Sequence, residues 1–406
     1  MQVTHKGSNF AAETHCFSRA PLHLYIHVPF CKQACHYCDF HFSTSPHQRD
    51  EVIRSIVREI VLQKDYLRLG SPIEQPAQKA MLQTVYFGGG TPSLLIEAHF
   101  HQLFETIGQH FILAPDAEIT LEANPDDLTP EKLALLRAFP INRLSIGIQS
   151  FHAPHLRYLN RAHTENQATS CVGLAQKAGF SNLSIDLIYA IPAESHAIWE
   201  ADLAQALRLD VSHVSSYCLT IEPQTAFGKW LQRGKIKAVD EEFAAQQFEI
   251  LMDTLTGHGY EQYEISNFAK PGHYSRHNRS YWQHHPYLGV GPSAHSYNGT
   301  HRQYNVANNA QYVKALANDT VPCTVEKLTV ANQVNEYLMT SLRTHDGCDT
   351  QWLQRQYQLD LRGTQQSYLE ACARKGLLTI TPAGVIRLTT QGKLFADQIA
   401  ADLFVA

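Results

Sequence analysis

The chain has 406 residues, of which 44% are hydrophobic and 17% are charged, so it can bury one large core and a smaller second one. Its formal net charge of -5 offers no basic surplus for nucleic acid, and no apolar run approaches the roughly 20 residues of a membrane span. The nine cysteines show no regular pairing, which argues against a disulfide scaffold and predicts a reducing, cytoplasmic location.

Residues 1–20 lack the charged head and apolar run of a signal peptide, and we expect them to form a flexible polar tail. After them, short β-rich segments alternate with longer amphipathic segments. The predicted strands are 22–28, 84–90, 118–124, 143–150, 182–190 and 213–220. Such repeated βα units predict an α/β fold over residues 21–300, with a parallel sheet covered by helices and curved into a partial (β/α)6 barrel.

The C-terminal part of the chain shows a different pattern. Residues 301–325 are polar, and we interpret them as a linker. Residues 326–406 contain three helix-like segments, a strand-like stretch around LLTITPAGVIRLT and a terminal helix, an order that predicts a small winged-helix-like α+β domain. Because the net charge gives no support for DNA binding, we favour a docking module without chemistry of its own.

The segment PFCKQACHYCDFHF places Cys31, Cys35 and Cys38 directly after the first predicted strand. Thiolates are ligands for both zinc and iron-sulfur clusters. A structural zinc site needs a fourth ligand, which His36 or His41 could supply. A 4Fe-4S cluster held by three cysteines leaves one iron open for a substrate or cofactor, and the spacing favours this interpretation.

Polar residues and glycines lie at the ends of the other predicted strands, where βα barrels carry their chemistry. They are Gly88, Gly89, Gly90, Thr91 and Pro92 after the second strand, Glu122 and Asn124 at the third, Gln149 and Ser150 at the fourth, Asp186 in the fifth and Tyr217 in the sixth. Each residue alone has a simpler explanation as a helix cap or loop contact. Their convergence at one rim predicts a polar ligand, because buried polar groups need partners.

These motifs together resemble the radical S-adenosylmethionine (SAM) superfamily. The resemblance lies in C-x3-C-x2-C after the first strand, the aromatic Tyr37 before the third cysteine, and GGGTP after the second strand. The motifs YIHVPFC, CDF, YFGGGTPSLL, EANP, RLSIGIQSF, LNRAH, IDLIYAIP, LTIEP and HNRSYW follow in order. They are similar to the family of oxygen-independent coproporphyrinogen III oxidase and its haem-chaperone paralogues, over about residues 20–400.

The resemblance implies a 4Fe-4S cluster held by Cys31, Cys35 and Cys38, with the amino and carboxylate groups of SAM on the fourth iron. One electron would then cleave a C–S bond of SAM to give a 5′-deoxyadenosyl radical. The residues that the resemblance places around SAM are Gly89, Gly90 and Thr91 beside the methionine moiety, Tyr25 and Tyr37 near the cluster and adenine, and Glu122, Gln149, Arg161 and Asp186 as hydrogen-bond partners of the amino, carboxylate and ribose groups.

Two departures from the oxidase pattern favour the haem-chaperone branch of the family. The oxidase carries a fourth cysteine two residues after the third, where this chain has Phe40, and it has a longer N-terminal segment. The CDF sequence and HNRSYW at 277–282 also fit the chaperone branch. We therefore expect a protein that binds haem and passes it to an acceptor protein, with an electron donor if SAM is cleaved. The alternative is oxidative decarboxylation of coproporphyrinogen III in porphyrin biosynthesis.

His277 is the residue that the resemblance favours as the haem contact, since imidazole is a common axial ligand of haem iron. The chain has 23 histidines, and a histidine in such a loop more often makes structural hydrogen bonds. His273, His284, His295 and Cys218 compete for the role. No residue is assigned a catalytic role.

Overall fold

A computed structural model of the chain describes residues 21–68 and 79–405. The predicted tail over 1–20 lies outside the described residues. One large sheet contains β1 (Leu22–Val28), β2 (Ala80–Gly89), β3 (Phe111–Ala123), β4 (Arg143–Gln149), β5 (Asn182–Tyr189), β6 (His213–Cys218), β7 (Glu261–Glu264), β8 (Asn267–Ala269), β9 (Tyr287–Val290), β10 (His295–Tyr297), β11 (His301–Asn305) and β12 (Cys323–Lys327). A small sheet contains β13 (Cys348–Asp349), β14 (Leu378–Ile380) and β15 (Val385–Leu388).

Helices connect most of these strands. They are α1 (Arg49–Leu62), α2 (Glu97–His110), α3 (Pro130–Arg137), α4 (Ala153–Tyr158), α5 (Glu165–Lys177), α6 (Ala197–Arg208), α7 (Ala226–Gln232), α8 (Glu241–Gly257), α9 (Arg276–Trp282), α10 (Asn309–Leu316), α11 (Val330–Ser341), α12 (Thr350–Tyr357), α13 (Leu361–Thr364), α14 (Gln366–Arg374), α15 (Thr390–Lys393) and α16 (Ala396–Asp402). Among the described residues, we find no helix with the length and apolar character that crossing a membrane requires.

The six predicted strands are confirmed as β1 to β6, which are consecutive parallel neighbours in the large sheet. Two of them begin earlier than predicted, β2 at Ala80 and β3 at Phe111. The β pattern of the third strand is interrupted by Pro115, and the facing strand β2 shifts its register near this point, between Leu82 and Thr84. The strand β3 therefore continues through Pro115 with a register shift, although the sequence pattern predicts that the strand begins only after this proline.

Alternation along each strand separates an apolar outer face from a polar interior. In β1, Leu24 and Ile26 are fully buried and belong to the same apolar core as Ile56 of α1. The intervening residues Tyr25 and His27 point to the other face, because successive side chains of a strand alternate. The helices therefore cover an apolar surface, while the barrel interior is left to polar side chains.

The structure corrects the predicted linker over 301–325. These residues form β11, α10 and β12, which extend one edge of the large sheet. The fully buried Glu59 of α1 accepts hydrogen bonds from Asn305 Nδ2 at 2.7 Å, Tyr312 OH at 2.5 Å and Gly291 N–H at 2.8 Å. Burial raises the pKa of Glu59, and these hydrogen bonds oppose the rise. Polar residues of the segment thus satisfy a buried carboxylate far away in the sequence.

Replacing Glu59 tests whether this side chain attaches the segment 301–325 to helix α1. We expect Glu59→Ala to lower the free energy of unfolding by about 3 kcal/mol, because it removes the shared acceptor of three buried donors, of which only Asn305 keeps another acceptor, Gly291 O. Glu59→Gln keeps the volume and one carbonyl oxygen, so its loss should be smaller. Chemical denaturation of the three proteins measures the differences. Equal stability of Glu59→Ala and the wild type would show that Glu59 does not stabilise the packing of segment 301–325 on helix α1.

The C-terminal part from α11 to α16 contains helices, then two strands, then terminal helices, as predicted for a winged-helix-like domain. It has in addition a short strand, β13, after its first helix. Its sheet is antiparallel, and Leu338, Leu353 and Ile386 lie fully buried in a core of its own. Arg343 binds the buried Glu264 of β7 at 3.1 Å. The predicted domain boundaries other than the linker remain predictions.

Candidate cofactor site

The three cysteines lie on the loop between β1 and α1, which is held by backbone hydrogen bonds. Cys31 N–H donates to Ser43 O at 3.0 Å, so the loop closes on itself. His36 N–H donates to Leu159 O at 3.1 Å, and Phe227 N–H donates to His36 O at 3.0 Å. All three thiols are free and half-buried. The loop is therefore anchored to the parts of the chain that follow β4 and β6.

The surroundings of the thiols test which metal group they fit. Burial raises the pKa of Cys38 to about 12 and raises that of Cys31 as well, so iron or zinc must supply the stabilisation of the thiolates. Over residues 21–68 and 79–405, no three Cys, His, Asp or Glu side chains converge closely enough to hold one metal ion. The three cysteines line one pocket, which suits the three cysteine ligands of a 4Fe-4S cluster.

Glycines after β2 bring the backbone close to the cysteine loop. Gly89 has a φ of +102°, and a Cβ at this position would lie 2.6 Å from the ring of His27. A Cβ on Gly90 would lie 2.7 Å from the backbone of Phe30. Thr91 N–H donates to Phe30 O at 2.7 Å. Only glycine fits at both positions, because the turn after β2 packs tightly against β1 and the cysteine loop. Both glycines also line the same cavity as the thiols, and we call this turn the glycine cradle.

Two carboxylates face the interior below this cradle. Glu122 accepts hydrogen bonds from Tyr86 OH at 2.7 Å and from Gly89 N–H at 3.2 Å. Burial raises its pKa to about 7, which these hydrogen bonds oppose. Burial likewise raises the pKa of Asp186 to about 6, opposed by the positive charge of Arg143. A bound cation would stabilise the ionised form of both carboxylates.

Arg161 links the cysteine loop to the strand ends. Its Nη1 donates to Cys35 Sγ at 3.2 Å, and its Nη2 donates to Asn124 Oδ1 at 2.6 Å and Gly147 O at 2.7 Å. The buried Nε atom has no hydrogen-bond partner, so the guanidinium retains a donor. Gln149 reaches the same region through a register shift between β4 and β5, and its φ of 69° is unusual for a residue other than glycine.

These groups line one cavity of about 500 Å³ at the carboxyl ends of the strands. The predicted site residues that it contains are Cys31, Cys35, Tyr37, Cys38, Gly89, Gly90, Thr91, Glu122, Gln149, Arg161 and Asp186. Its thiols, cradle, two carboxylates and one guanidinium fit a 4Fe-4S cluster together with a zwitterionic ligand such as SAM. We call it the SAM cavity.

Tyr25 is not among the residues that line the SAM cavity in this structure, and its place near the cluster and adenine remains a prediction. Its OH lies 3.2 Å from His27 Nδ1, and its ring lies beside Gly88, where a Cβ would be 3.0 Å away. Since β1 alternates its side chains, Tyr25 sits behind the glycine cradle and faces a second cavity.

His277 is also placed differently from its predicted role as a haem ligand. It is 1% exposed, and both ring nitrogens are occupied: Nδ1 lies 2.5 Å from Thr84 Oγ1 and Nε2 lies 2.8 Å from Tyr281 OH. Its backbone N–H donates to Glu118 Oε1 at 3.0 Å. In this structure His277 fixes helix α9 to the strands, and neither nitrogen is available to iron.

The HNRSYW motif instead presents its aromatic residues to the second cavity, which measures about 580 Å³. Tyr281 and Trp282 line this space together with residues of β9 to β11 and α11. Asp39 and Phe40 line both cavities, so the two spaces adjoin at the end of the cysteine loop. Phe40 is 72% exposed there. We call this space the α11 cavity.

Sequence reasoning missed Ser145, which lines the SAM cavity, and Tyr86, which holds a residue of that cavity in place. Tyr86 holds Glu122, and Ser145 Oγ donates to Asp186 Oδ1 at 3.3 Å. The signal that could have found them is alternation, because Tyr86 lies two residues before Gly88 and Ser145 lies two before Gly147 on interior-facing positions. The α11 cavity had no such signal, because its walls come from distant segments.

The raised pKa of Glu122 predicts a pH effect on SAM binding. Below about pH 7 the carboxyl takes up a proton and loses its charge, so its contribution to binding a cation falls as the pH falls. We expect the affinity advantage of the wild type over Glu122→Gln to shrink about tenfold between about pH 8 and pH 6, for one linked proton. Calorimetric titration of both anaerobic proteins measures this ratio, in which the titration of SAM itself cancels. A ratio independent of pH would contradict the role of Glu122.

Comparisons with known proteins agree with this geometry. Residues 25–205 match the family model described as the radical SAM superfamily. The chain is 34% identical over 380 residues to "Heme chaperone HemW" of Bacillus subtilis, covering 92% of this chain and 97% of the relative. It is 35% identical over 385 residues to the protein of the same name from Mycobacterium tuberculosis, covering 94% and 95%. The solved coproporphyrinogen III oxidase HemN of Escherichia coli superimposes with a TM-score of 0.80 at 24% identity, covering 95% of this chain and 90% of that chain.

The fold, the cysteine loop and the glycine cradle define a radical SAM protein, the class whose cofactors are a 4Fe-4S cluster and SAM. Within that superfamily the chain belongs to the HemW family, since it matches these relatives over nearly their whole length.

Proposed function

We propose that the chain is a haem chaperone, which binds haem and passes it to an acceptor protein. The observation that carries the proposal is the match to relatives named "Heme chaperone HemW" at 34% identity over 97% of the relative. The likeness to the oxidase at 24% identity concerns the fold alone. Folds of this kind host different functions, so the likeness in architecture does not make the chain an oxidase.

Cys31, Cys35 and Cys38 would hold the cluster, whose chemistry when SAM is bound is one-electron cleavage of SAM. The residues of the chain bind and orient the ligand and exclude water. The cradle at Gly89 and Gly90 admits the ligand to the main chain, and Glu122 offers a carboxylate beside it. Tyr37 closes part of the wall of the same cavity.

Phe40 supports the chaperone over the oxidase. It occupies the position at which the resembling oxidase carries a fourth cysteine, and it is 72% exposed between the two cavities. A phenyl ring cannot act as a proton donor or a ligand there. It offers an apolar face to a flat ligand instead.

The partners that we propose are haem, an acceptor protein, and an electron donor if SAM is cleaved. We also propose a cytoplasmic location and no nucleic-acid partner. The reducing environment suits eight free thiols among the described residues, and the net charge of -5 is unfavourable for binding phosphate backbones.

Paired assays on one sample test the proposal. The protein is reconstituted with iron and sulfide without air, then titrated with haem and, separately, incubated with coproporphyrinogen III, SAM and a reductant. We expect saturable haem binding and no protoporphyrinogen. Formation of protoporphyrinogen would show that the chain is an oxidase and would overturn the proposal.

A further inference from the structure

The α11 cavity contains chemistry that the SAM cavity does not use. It is lined by strands β9 to β11, by the loop at 39–41 and by helix α11 of the C-terminal domain. Its volume of about 580 Å³ is within the range of cofactor sites. The α11 cavity is therefore large enough to be considered as the place where the protein binds haem.

Five histidines line the α11 cavity, but three of them are already engaged. His27 Nε2 bonds to the backbone of His41 at 3.0 Å, and its Nδ1 faces Tyr25 OH. His41 Nε2 lies 2.8 Å from Asn309 Oδ1, and His284 Nε2 lies 2.6 Å from Thr340 Oγ1. Among the described residues, the two cavity histidines with no side-chain hydrogen bond are His285 and His295.

His295 is the better placed of the two for a ligand from the cavity. His285 is stacked on His23 with ring centroids 5.7 Å apart and also lines the neighbouring space under Gln283. His295 is on the exposed side of β10 and contacts Tyr304 through one ring face. Burial, followed by the charge of Arg302, lowers the pKa of His295, which favours the neutral imidazole that binds iron.

The strand register places a cation at a fixed distance from His295. In the β10–β11 pair, His295 faces Tyr304 and Tyr297 faces Arg302. Residues two apart share a face of a sheet, so His295 and Arg302 are diagonal neighbours whose Cα atoms lie about 7 Å apart by sheet geometry. The imidazole and the guanidinium therefore project from the same face of the sheet, as an axial ligand and a propionate partner of one haem require.

Arg302 is held at the cavity by an ion pair with Glu336 of α11, at 2.7 Å. The two side chains are 34% and 24% exposed, so the guanidinium remains accessible from the cavity mouth. A guanidinium has five donors and one carboxylate uses at most two, so Arg302 can bind a second carboxylate.

Aromatic and soft side chains form the rest of the wall. Tyr281 and Tyr287 meet edge to face with centroids 4.7 Å apart, and Trp282 and Met339 line the same space. The buried Trp282 Nε1 has no hydrogen-bond partner. Flat apolar surfaces of this kind pack against a porphyrin, while the polar groups at the edge hold its orientation.

We propose that the α11 cavity is the haem site, with His295 as the axial ligand and Arg302 as the partner of a propionate. The proposal rests on the proposed function and specifies where that function takes place. Haem in this position adjoins the SAM cavity across Asp39 and Phe40. The helix α11 closes one side, so the C-terminal domain contributes to holding and releasing haem.

His295→Gly tests the axial ligand in the reconstituted full-length protein. We expect the variant to lose the imidazole-ligated absorbance and magnetic circular dichroism spectrum of bound haem. Added imidazole should restore that spectrum by entering the space that the side chain leaves. His258→Gly is the matched control, since this exposed histidine follows α8 and does not line the cavity, and its haem spectrum should equal that of the wild type. A normal spectrum in His295→Gly, or loss of the spectrum in both variants, would overturn the assignment.

Arg302→Gln tests the propionate contact with a chemical control. We expect haem to bind this variant about tenfold more weakly than the wild type, the effect of one charge-assisted contact. Haem dimethyl ester lacks the propionate charges, so it should bind both proteins equally. Equal haem affinity of the two proteins would overturn the contact.

Haem binding by the protein and the placement of haem in the α11 cavity are tested by different results. A wild-type protein that binds no haem overturns the proposed function itself. A wild-type protein that binds haem, with unchanged binding in both His295→Gly and Arg302→Gln, overturns only this placement.

Discussion

Cys35→Ser is expected to abolish the 4Fe-4S cluster and leave the barrel folded. A hydroxyl does not replace a thiolate as an iron ligand, and Cys35 is the sulfur that Arg161 contacts at 3.2 Å. The substitution lies on a loop whose anchors are backbone hydrogen bonds at Cys31 and His36, so the fold does not depend on the thiol. Iron and sulfide analysis measures the cluster, and circular dichroism measures the fold.

Cys218→Ser is the matched control, because Cys218 lines the same cavity at the end of β6. This variant should retain the full iron and sulfide content of the wild type. A Cys35→Ser protein with a complete cluster, or a Cys218→Ser protein without one, would mean that the ligand set is not Cys31, Cys35 and Cys38.

Gly89→Ala is expected to damage the SAM cavity. The new Cβ would lie 2.6 Å from the ring of His27, and the φ of +102° disfavours any side chain. His27 is 4% exposed and bonded at both nitrogens, so its ring cannot move aside cheaply. We expect a loss of about 2 kcal/mol in the free energy of unfolding and SAM binding more than about tenfold weaker.

Gly173→Ala supplies the control for the same chemical change. Gly173 lies inside helix α5, and a Cβ there would meet nothing within 4 Å. Alanine is the better helix former, so this variant should be as stable as the wild type or more stable by up to about 1 kcal/mol. Thermal unfolding and SAM titration compare the two variants. Unimpaired SAM binding by Gly89→Ala would contradict the claim that the glycine at this position is needed for SAM binding.

Local pattern in the sequence was sufficient for the six parallel strands β1 to β6 and for most of the SAM cavity. Alternating apolar residues predict each parallel strand, and parallel strands bring their carboxyl ends to one edge. Residues at those ends, such as Glu122 and Asp186, are therefore brought together by topology alone. Arg161 was predicted as a site residue only from the resemblance to the radical SAM superfamily. In the structure its guanidinium contacts Cys35.

Features that depend on distant segments could not be predicted in this way. Two polar residues of the segment 301–325, Asn305 and Tyr312, bind Glu59, a partner that no local window of the sequence contains. His277 is near the aromatic residues of its motif in sequence, yet α9 turns it inward to Thr84. The α11 cavity needs the C-terminal domain to close against the barrel, a contact made through Arg343 and Glu264.

The most direct measurement of the central claim is a haem titration of the reconstituted protein followed by addition of excess apomyoglobin, with absorbance recorded throughout. The account predicts saturation at about one haem per chain and then complete transfer of that haem to the acceptor, since a chaperone must hold its cargo reversibly. A spectrum that stays that of free haem throughout the titration, or haem that does not leave the chain, would contradict it.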